Sequence, residues 1–186
     1  MDSISKVFAL ILAILLLYFY PMSEGYERQD DISYMVALKA VTEFTDSVRN
    51  KGYITPQMYN DFFDELQKTG NTFDVQMERQ QKRYDPVYSD TTPTKPTASF
   101  LGSYQVNYEE FYTQQIMDEL FPDDQTKGLD DPSRVYKLNA GDFFKVTVVN
   151  TNKTAATLLR DFLNNGSSET ERIVIPYGGM VLNEDY

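Results

Sequence analysis

The sequence predicts an α+β protein: a long N-terminal helix, part membrane anchor and part amphipathic extension, followed by a small α+β head with a largely antiparallel sheet. Three observations lead there. Residues 7–22 (VFALILAILLLYFYPM) run for sixteen positions without a charge. Residues 27–50 then repeat apolar side chains at helical spacing, with only Gly25 between the two stretches. Beyond residue 51 the apolar period switches between helical and alternating, in the order helix, strand, strand, helix, strand, helix, strand. The division that follows is an N-terminal transmembrane anchor, residues 1–25, and an extracytoplasmic α+β domain, residues 26–186.

The apolar run, taken as a helix, is about 24 Å long, a little short of a ~30 Å hydrocarbon core. Ile4, Ser5 and the stem of Lys6 extend it, and Tyr18, Phe19 and Tyr20 suit the opposite interface. Lys6 and the terminal amine precede the run, whereas Glu24, Glu27, Asp30 and Asp31 follow it. That asymmetry predicts a cytoplasmic N-terminus and an extracytoplasmic remainder in a single-pass protein of the cell membrane. The competing reading is a cleaved secretory signal, whose marks are a basic start, a shorter apolar core and a small-x-small site. Here the start MDSISK has little net charge, and the small-x-small match is Ser23-Glu24-Gly25. A retained anchor is the expectation carried forward.

In the amphipathic extension Ala37, Val41, Phe44 and Val48 recur at spacings of four, three and four, with Ile32 or Tyr34 one or two turns earlier. Pro21 can kink a helix without ending it, so anchor and extension are expected to form one helix of roughly 40 residues. Thr55 and Pro56 are a helix cap and first-turn residue; Met58, Tyr59, Phe62, Phe63 and Leu66 are its apolar face and Gly70 its stop. Phe73, Val75 and Met77 alternate with polar residues as a strand running towards Tyr84. Residues 85–99, with three prolines, predict a loop. A second strand is expected at 104–108 and a helix at 109–121, with Phe111, Tyr112, Ile116 and Leu120 inward. Residues 122–133 form an acidic loop. Phe144, Val146 and Val148 mark the clearest strand. Thr154 caps a helix to Asn164 with Leu158, Leu159 and Phe162 inward, and residues 172–176 are a last strand closed by a Tyr177-Gly178-Gly179 turn.

Composition removes many functions. The net charge is −11 and residues 1–22 contribute one Asp and one Lys, so the exported part carries all of it. Such a surface repels nucleic acid and anionic headgroups, and no nucleic-acid partner is expected. With no Cys and no His there is no disulfide framework, no thiolate or Ser-His nucleophile and no ordinary zinc site. The acidic loop invites a calcium reading. Aligned as an EF-hand with Gly128 sixth, however, Lys127 falls at position five and Arg134 at twelve, where carboxylates belong. Asp123, Asp124, Asp130 and Asp131 then read as a solvated loop, with calcium binding outside the EF-hand pattern as the open alternative. Carboxylates are abundant, but no spacing selects a glycosidase-like pair. Gly178-Gly179 lacks the pattern of a phosphate cradle. The basic stretch from Arg79 to Tyr84 reads as an exposed strand end, and the sequons at Asn152 and Asn165 coincide with a helix cap and a helix stop. No catalytic, cofactor-binding or metal residue is predicted, and no cofactor.

The stretches ISKVFALILAILLLYFYP, RQDDISYMVALKAVTEFTDSVRNKGYITPQMYNDFFDEL, TGNTFDVQMERQQKRYDPVY, LNAGDFFKVTVVN and IPYGGMVLNEDY carry a resemblance. The chain resembles pilin-like (pseudopilin or minor pilin) membrane-anchored proteins of Tad/Flp-type pilus and type II secretion-like systems in Gram-positive bacteria. The resemblance implies a non-enzymatic subunit whose partners are the membrane, through its helix, and other pilin-like or secretion-apparatus subunits. Ordinary type IV pilins carry a glycine before the processing site and a glutamate five residues into the mature apolar segment. This chain has neither at its N-terminus, which points to a minor subunit or assembly component. An anchored carboxylate-based hydrolase and a surface-binding or sensor domain stand as the competing classes.

Overall fold

The computed structural model describes residues 3–89, 97–123, 128–166 and 173–186. A single helix, α1 (Ser3–Lys51), runs for 49 residues and contains Pro21. That is longer than the expected 40, about 73 Å at the usual rise. Its two halves live in different surroundings. Among residues 4–20 every described side chain but Phe19 is exposed, and this stretch is long and apolar enough to cross a membrane, a test that a signal sequence also passes. From Ser33 onwards one stripe of the same helix is the centre of the head: Ala37, Ala40, Val41, Phe44 and Val48 are all buried. The stripe starts later than predicted. Ile32 and Tyr34 are exposed, because the buried stripe at this level passes through Ser33.

The head assembles around that stripe as α+β layers. A two-residue strand β1 (Tyr53–Ile54) leads into α2 (Pro56–Gln67), which starts where Thr55 Oγ1 accepts the Met58 amide at 3.2 Å and ends before Gly70. Phe62 and Leu66 face inward, and the Phe62 ring stacks on Phe44 with centroids 4.5 Å apart. Four antiparallel strands form the main sheet: β2 (Phe73–Tyr88), β3 (Phe100–Tyr112), β5 (Phe143–Asn150) and β6 (Val174–Met180), in the order β3-β2-β5-β6. Its inner face, Val75, Met77, Phe144, Val146, Val148 and Ile175, packs in one cluster with the α1 stripe. A short helix α3 (Thr113–Leu120) closes the core with Ile116 and Leu120. A 3₁₀ turn (Pro132–Arg134) and β4 (Tyr136–Lys137), which pairs with β1, follow it.

Four expectations are corrected. Residues 109–112 extend β3 instead of starting a helix, since pairing with Glu78–Gln81 of β2 satisfies their backbone. Phe111 is therefore half-buried on a strand and Tyr112 is exposed. Residues 85–88 belong to β2, so that part of the expected loop is strand; residues 90–96 lie outside the described residues. On α4 (Ala155–Leu163), Thr154 caps as expected, but Ala156 and Thr157 face inward while Leu158 and Phe162 are exposed and Leu159 is half-buried. The Thr154 hydroxyl donates to Asp30 Oδ2 at 2.7 Å, holding α4 so close to α1 that its small residues fit between. Finally, Gly178 and Gly179 lie inside β6 and not in a turn. A Cβ on Gly179 would stand 2.5 Å from the Arg49 guanidinium carbon, and Arg49 Nε reaches past it to the Met180 carbonyl at 3.0 Å.

Candidate interaction surface

The register of β2 creates an arm. β5 pairs with β2 from Phe73 to Gln80 and no further, whereas β3 accompanies β2 out to Tyr88. The last eight residues of β2 and their partners thus form a two-stranded ribbon, about 26 Å long at a strand's usual rise. Its direction follows from contacts at both ends of the sheet. The Asn150 end of β5, opposite Phe73, leads to Thr154 and so to Asp30 of α1; the Phe143 end, opposite Gln80, pairs with Met180, whose carbonyl accepts from Arg49. The ribbon continues from the Arg49 end, away from the apolar part of α1.

A buried ion pair fixes the point of departure. Asp142 is 1% exposed and accepts from Arg79 Nε at 2.8 Å and from Arg79 Nη2 at 2.7 Å. Its other oxygen accepts the Lys82 amide at 3.3 Å, so a side chain takes over where β5 has stopped supplying acceptors. Burial opposes the charge on Arg79, but the Tyr136 hydroxyl and Asp142 outweigh it and hold the guanidinium pKa above its ordinary value. The Phe111 and Tyr136 rings flank the same guanidinium at 5.4 and 5.5 Å. A charge pair this well bonded is costly to break from one side only.

Pairing along the ribbon sorts its side chains onto two faces. Gln81, Arg83 and Asp85 share the side of Arg79 with Glu109, Asn107 and Gln105. This polar face satisfies itself. Arg83 Nε donates to Asp85 at 2.7 Å, Asn107 Nδ2 donates to the same carboxylate at 2.8 Å, and Glu109 stands 3.9 Å from Arg83. The Asn107 amide and Arg83 together hold the Asp85 carboxyl below the usual range. On the opposite face lie Tyr84 and Pro86 of β2 with Tyr104, Val106, Tyr108 and Tyr112 of β3. Past an irregularity between Pro86 and Tyr88, the rings of Tyr88 and Phe100 (6.0 Å) and of Phe100 and Tyr104 (5.3 Å) continue the stripe. Tyr104 and Tyr108 are each about 60% exposed and Tyr84 is 57% exposed, so this aromatic face is uncovered. Lys82 lies 5.0 Å from the Tyr84 ring, and the proximity of that tyrosine raises the ammonium pKa.

The other predicted features fall elsewhere. The basic stretch from Arg79 to Tyr84 is the joint and root of the ribbon; its cations are engaged by Asp142, Asp85 and the Tyr84 ring. In the acidic loop Asp131 caps the 3₁₀ turn by accepting the Ser133 amide, while Asp123 and Asp130 are exposed; residues 124–127, including Asp124, lie outside the described residues. Among the described residues no group of three or more carboxylates is placed to hold a metal ion. An open groove between α1 and α2 is rimmed by Glu43, Asp61 and Glu65. Each is tied to its own helix, to Lys39, Gln57 and Lys68 respectively. Lys68 holds the Glu65 carboxyl low, the opposite of what a general acid needs. Asn152 is engaged with Asn71 and Thr72 as a brace between loops, and Asn165 is exposed with φ of 48°.

Sequence reading missed the aromatic face as a site. Its signal was present in the alternation Tyr104-Val106-Tyr108-Glu110-Tyr112, but assigning 109–121 to a helix cut that pattern in half. No family model matches the chain, and no curated protein or solved structure matches it significantly.

Proposed function

We propose that the protein is a non-enzymatic, single-pass, membrane-anchored subunit that acts through protein–protein assembly at the cell surface, as a minor pilin-like or secretion-apparatus component. The observation that carries this reading is the uncovered aromatic face of the ribbon, directed away from the apolar end of α1. A two-stranded ribbon gains little stability by itself in water, and a row of exposed tyrosines is the composition from which protein interfaces are made. Tyrosine offers large contact area with a polar tip, so it tolerates water before the partner arrives.

Three further features support the reading. The helix that anchors is also the helix that organises the core, so the head is held at a fixed height with no intervening linker. Lys6 and the terminal amine immediately before the apolar run support a head outside the cell. Pilin-like partners would pack their own apolar helices beside residues 7–22, where Ala9 and Ala13 permit close approach. The test has two parts: deletion of the gene, and a photo-crosslinking residue at Tyr108 in living cells. The expected result is impaired pilus assembly or secretion, and crosslinks to a subunit of the same apparatus. Unchanged assembly and secretion after deletion would overturn the proposal.

A further inference from the structure

The exposed face of α4 lies at the height where the apolar part of α1 ends. Thr154, before the first turn of α4, donates to Asp30, and Arg160, in its second half, is 3.9 Å from Glu27. The helix therefore descends along α1 towards the apolar run, and Phe162 and Leu163 come after Arg160. Glu27 is five residues past Met22, the last residue of the apolar run. Five residues of helix are about 7.5 Å, and the headgroup region beyond the hydrocarbon is of similar thickness, about 5–8 Å. Phe162 and Leu163, past that level, are 73% and 58% exposed, on a helix whose buried residues are Ala156 and Thr157.

We infer that the C-terminal end of α4 is a second membrane contact: Phe162 and Leu163 enter the headgroup region of the bilayer that α1 crosses. This rests on the reading of α1 as a membrane span. Apolar side chains at such a tip sit in the interface, buried by a few ångströms. The neighbouring charge identifies the lipid. Glu24, Glu27, Asp30, Asp31 and Asp161 outnumber Arg28, Lys153 and Arg160 around α4, so the contact is with zwitterionic headgroups and is not strengthened by anionic ones. Two attachments, one spanning and one at the interface, would fix the azimuth of the head as well as its height, and with it the direction in which the ribbon's aromatic face points.

The chain has no tryptophan, so a single introduced one is a clean reporter. The full-length protein is placed in phosphatidylcholine nanodiscs, with ordinary lipid or lipid brominated high on the acyl chain. Four variants are compared: F162W and L163W on α4, L12W within the span and Y104W on the ribbon. Brominated lipid is expected to lower the emission of F162W and L163W about twofold, as for an interfacial side chain, and to leave Y104W unchanged. F162W and L163W as bright as Y104W while L12W is quenched would overturn the inference and leave this face to a protein partner. An unquenched L12W would overturn the span reading itself, and this contact with it.

Discussion

The two halves of β2 follow opposite rules. From Phe73 to Gln80 the strand puts Val75 and Met77 inward, against the core that α1 organises, and Asp74, Gln76 and Glu78 outward, as expected for a sheet with one wet face. From Gln81 to Tyr88 the inward side becomes polar, with Arg83 and Asp85, and the outward side becomes aromatic, with Tyr84 and Tyr88. The backbone does not change, since the pairing with β3 is continuous across the joint until Pro86. What changes is the neighbour. The inner half has α1 to cover its apolar side chains, and the outer half has no such cover among the described residues. The difference teaches that burial and function divide one strand between them.

Substitutions on either side of the joint break or sharpen that contrast. The largest effect is expected in the inner region, where Phe144→Ala should lower the stability of the full-length protein in detergent by about 3–5 kcal/mol, read by urea unfolding. At the joint, Asp142→Ala strands a buried guanidinium and should cost about 3 kcal/mol. A drop below about 1 kcal/mol would show that Arg79 finds other acceptors. In the outer region, Tyr104→Ser with Tyr108→Ser should change stability by no more than about 0.5 kcal/mol each, yet abolish crosslinking from a reporter at Tyr112. Equal destabilisation in both regions would erase the distinction.

The smallest effect is one of pH. Burial raises the pKa of Tyr59, with Asp74 adding to it, and burial likewise raises that of Tyr136. A group whose folded pKa is raised keeps its stabilising contribution below the unfolded value, about 10 for tyrosine, and loses it above. Stability should therefore fall as pH passes from 9 to 11, by less in Tyr59→Phe than in the parent, measured by urea titration at each pH.

Much of the fold could be read from residues because the signals were local. Thr55-Pro56 and Thr154 are caps whose hydrogen bonds lie within one turn. The Phe144-Val146-Val148 alternation needs only a sheet with one covered face. The errors arose where a distant neighbour decided. Residues 109–112 became strand because β2 was there to pair with them. Pro86 suggested a loop, yet it is accommodated in a ribbon with a free edge, where a missing amide costs little. Leu158 and Phe162 were assigned inward by periodicity, but Thr154 and Asp30 decided which side of α4 meets α1. The aromatic face became visible only once the end of β5 was known, because until then its tyrosines were indistinguishable from half-buried ones.

The end of α1 has a consequence for the order of events in making the protein. Its last carbonyls take their donors from the far end of the chain: Arg49 from the Leu182 amide, Asn50 from the Asn183 side chain and Lys51 from the Asp185 amide. Gly52 presses against the same tail, where any Cβ would stand 2.1 Å from the Asn183 carbonyl. The end of α1 is thus finished by residues 133 or so positions further along the sequence. During synthesis these carbonyls cannot meet these donors until residue 185 has been made, so this end of the helix is completed late.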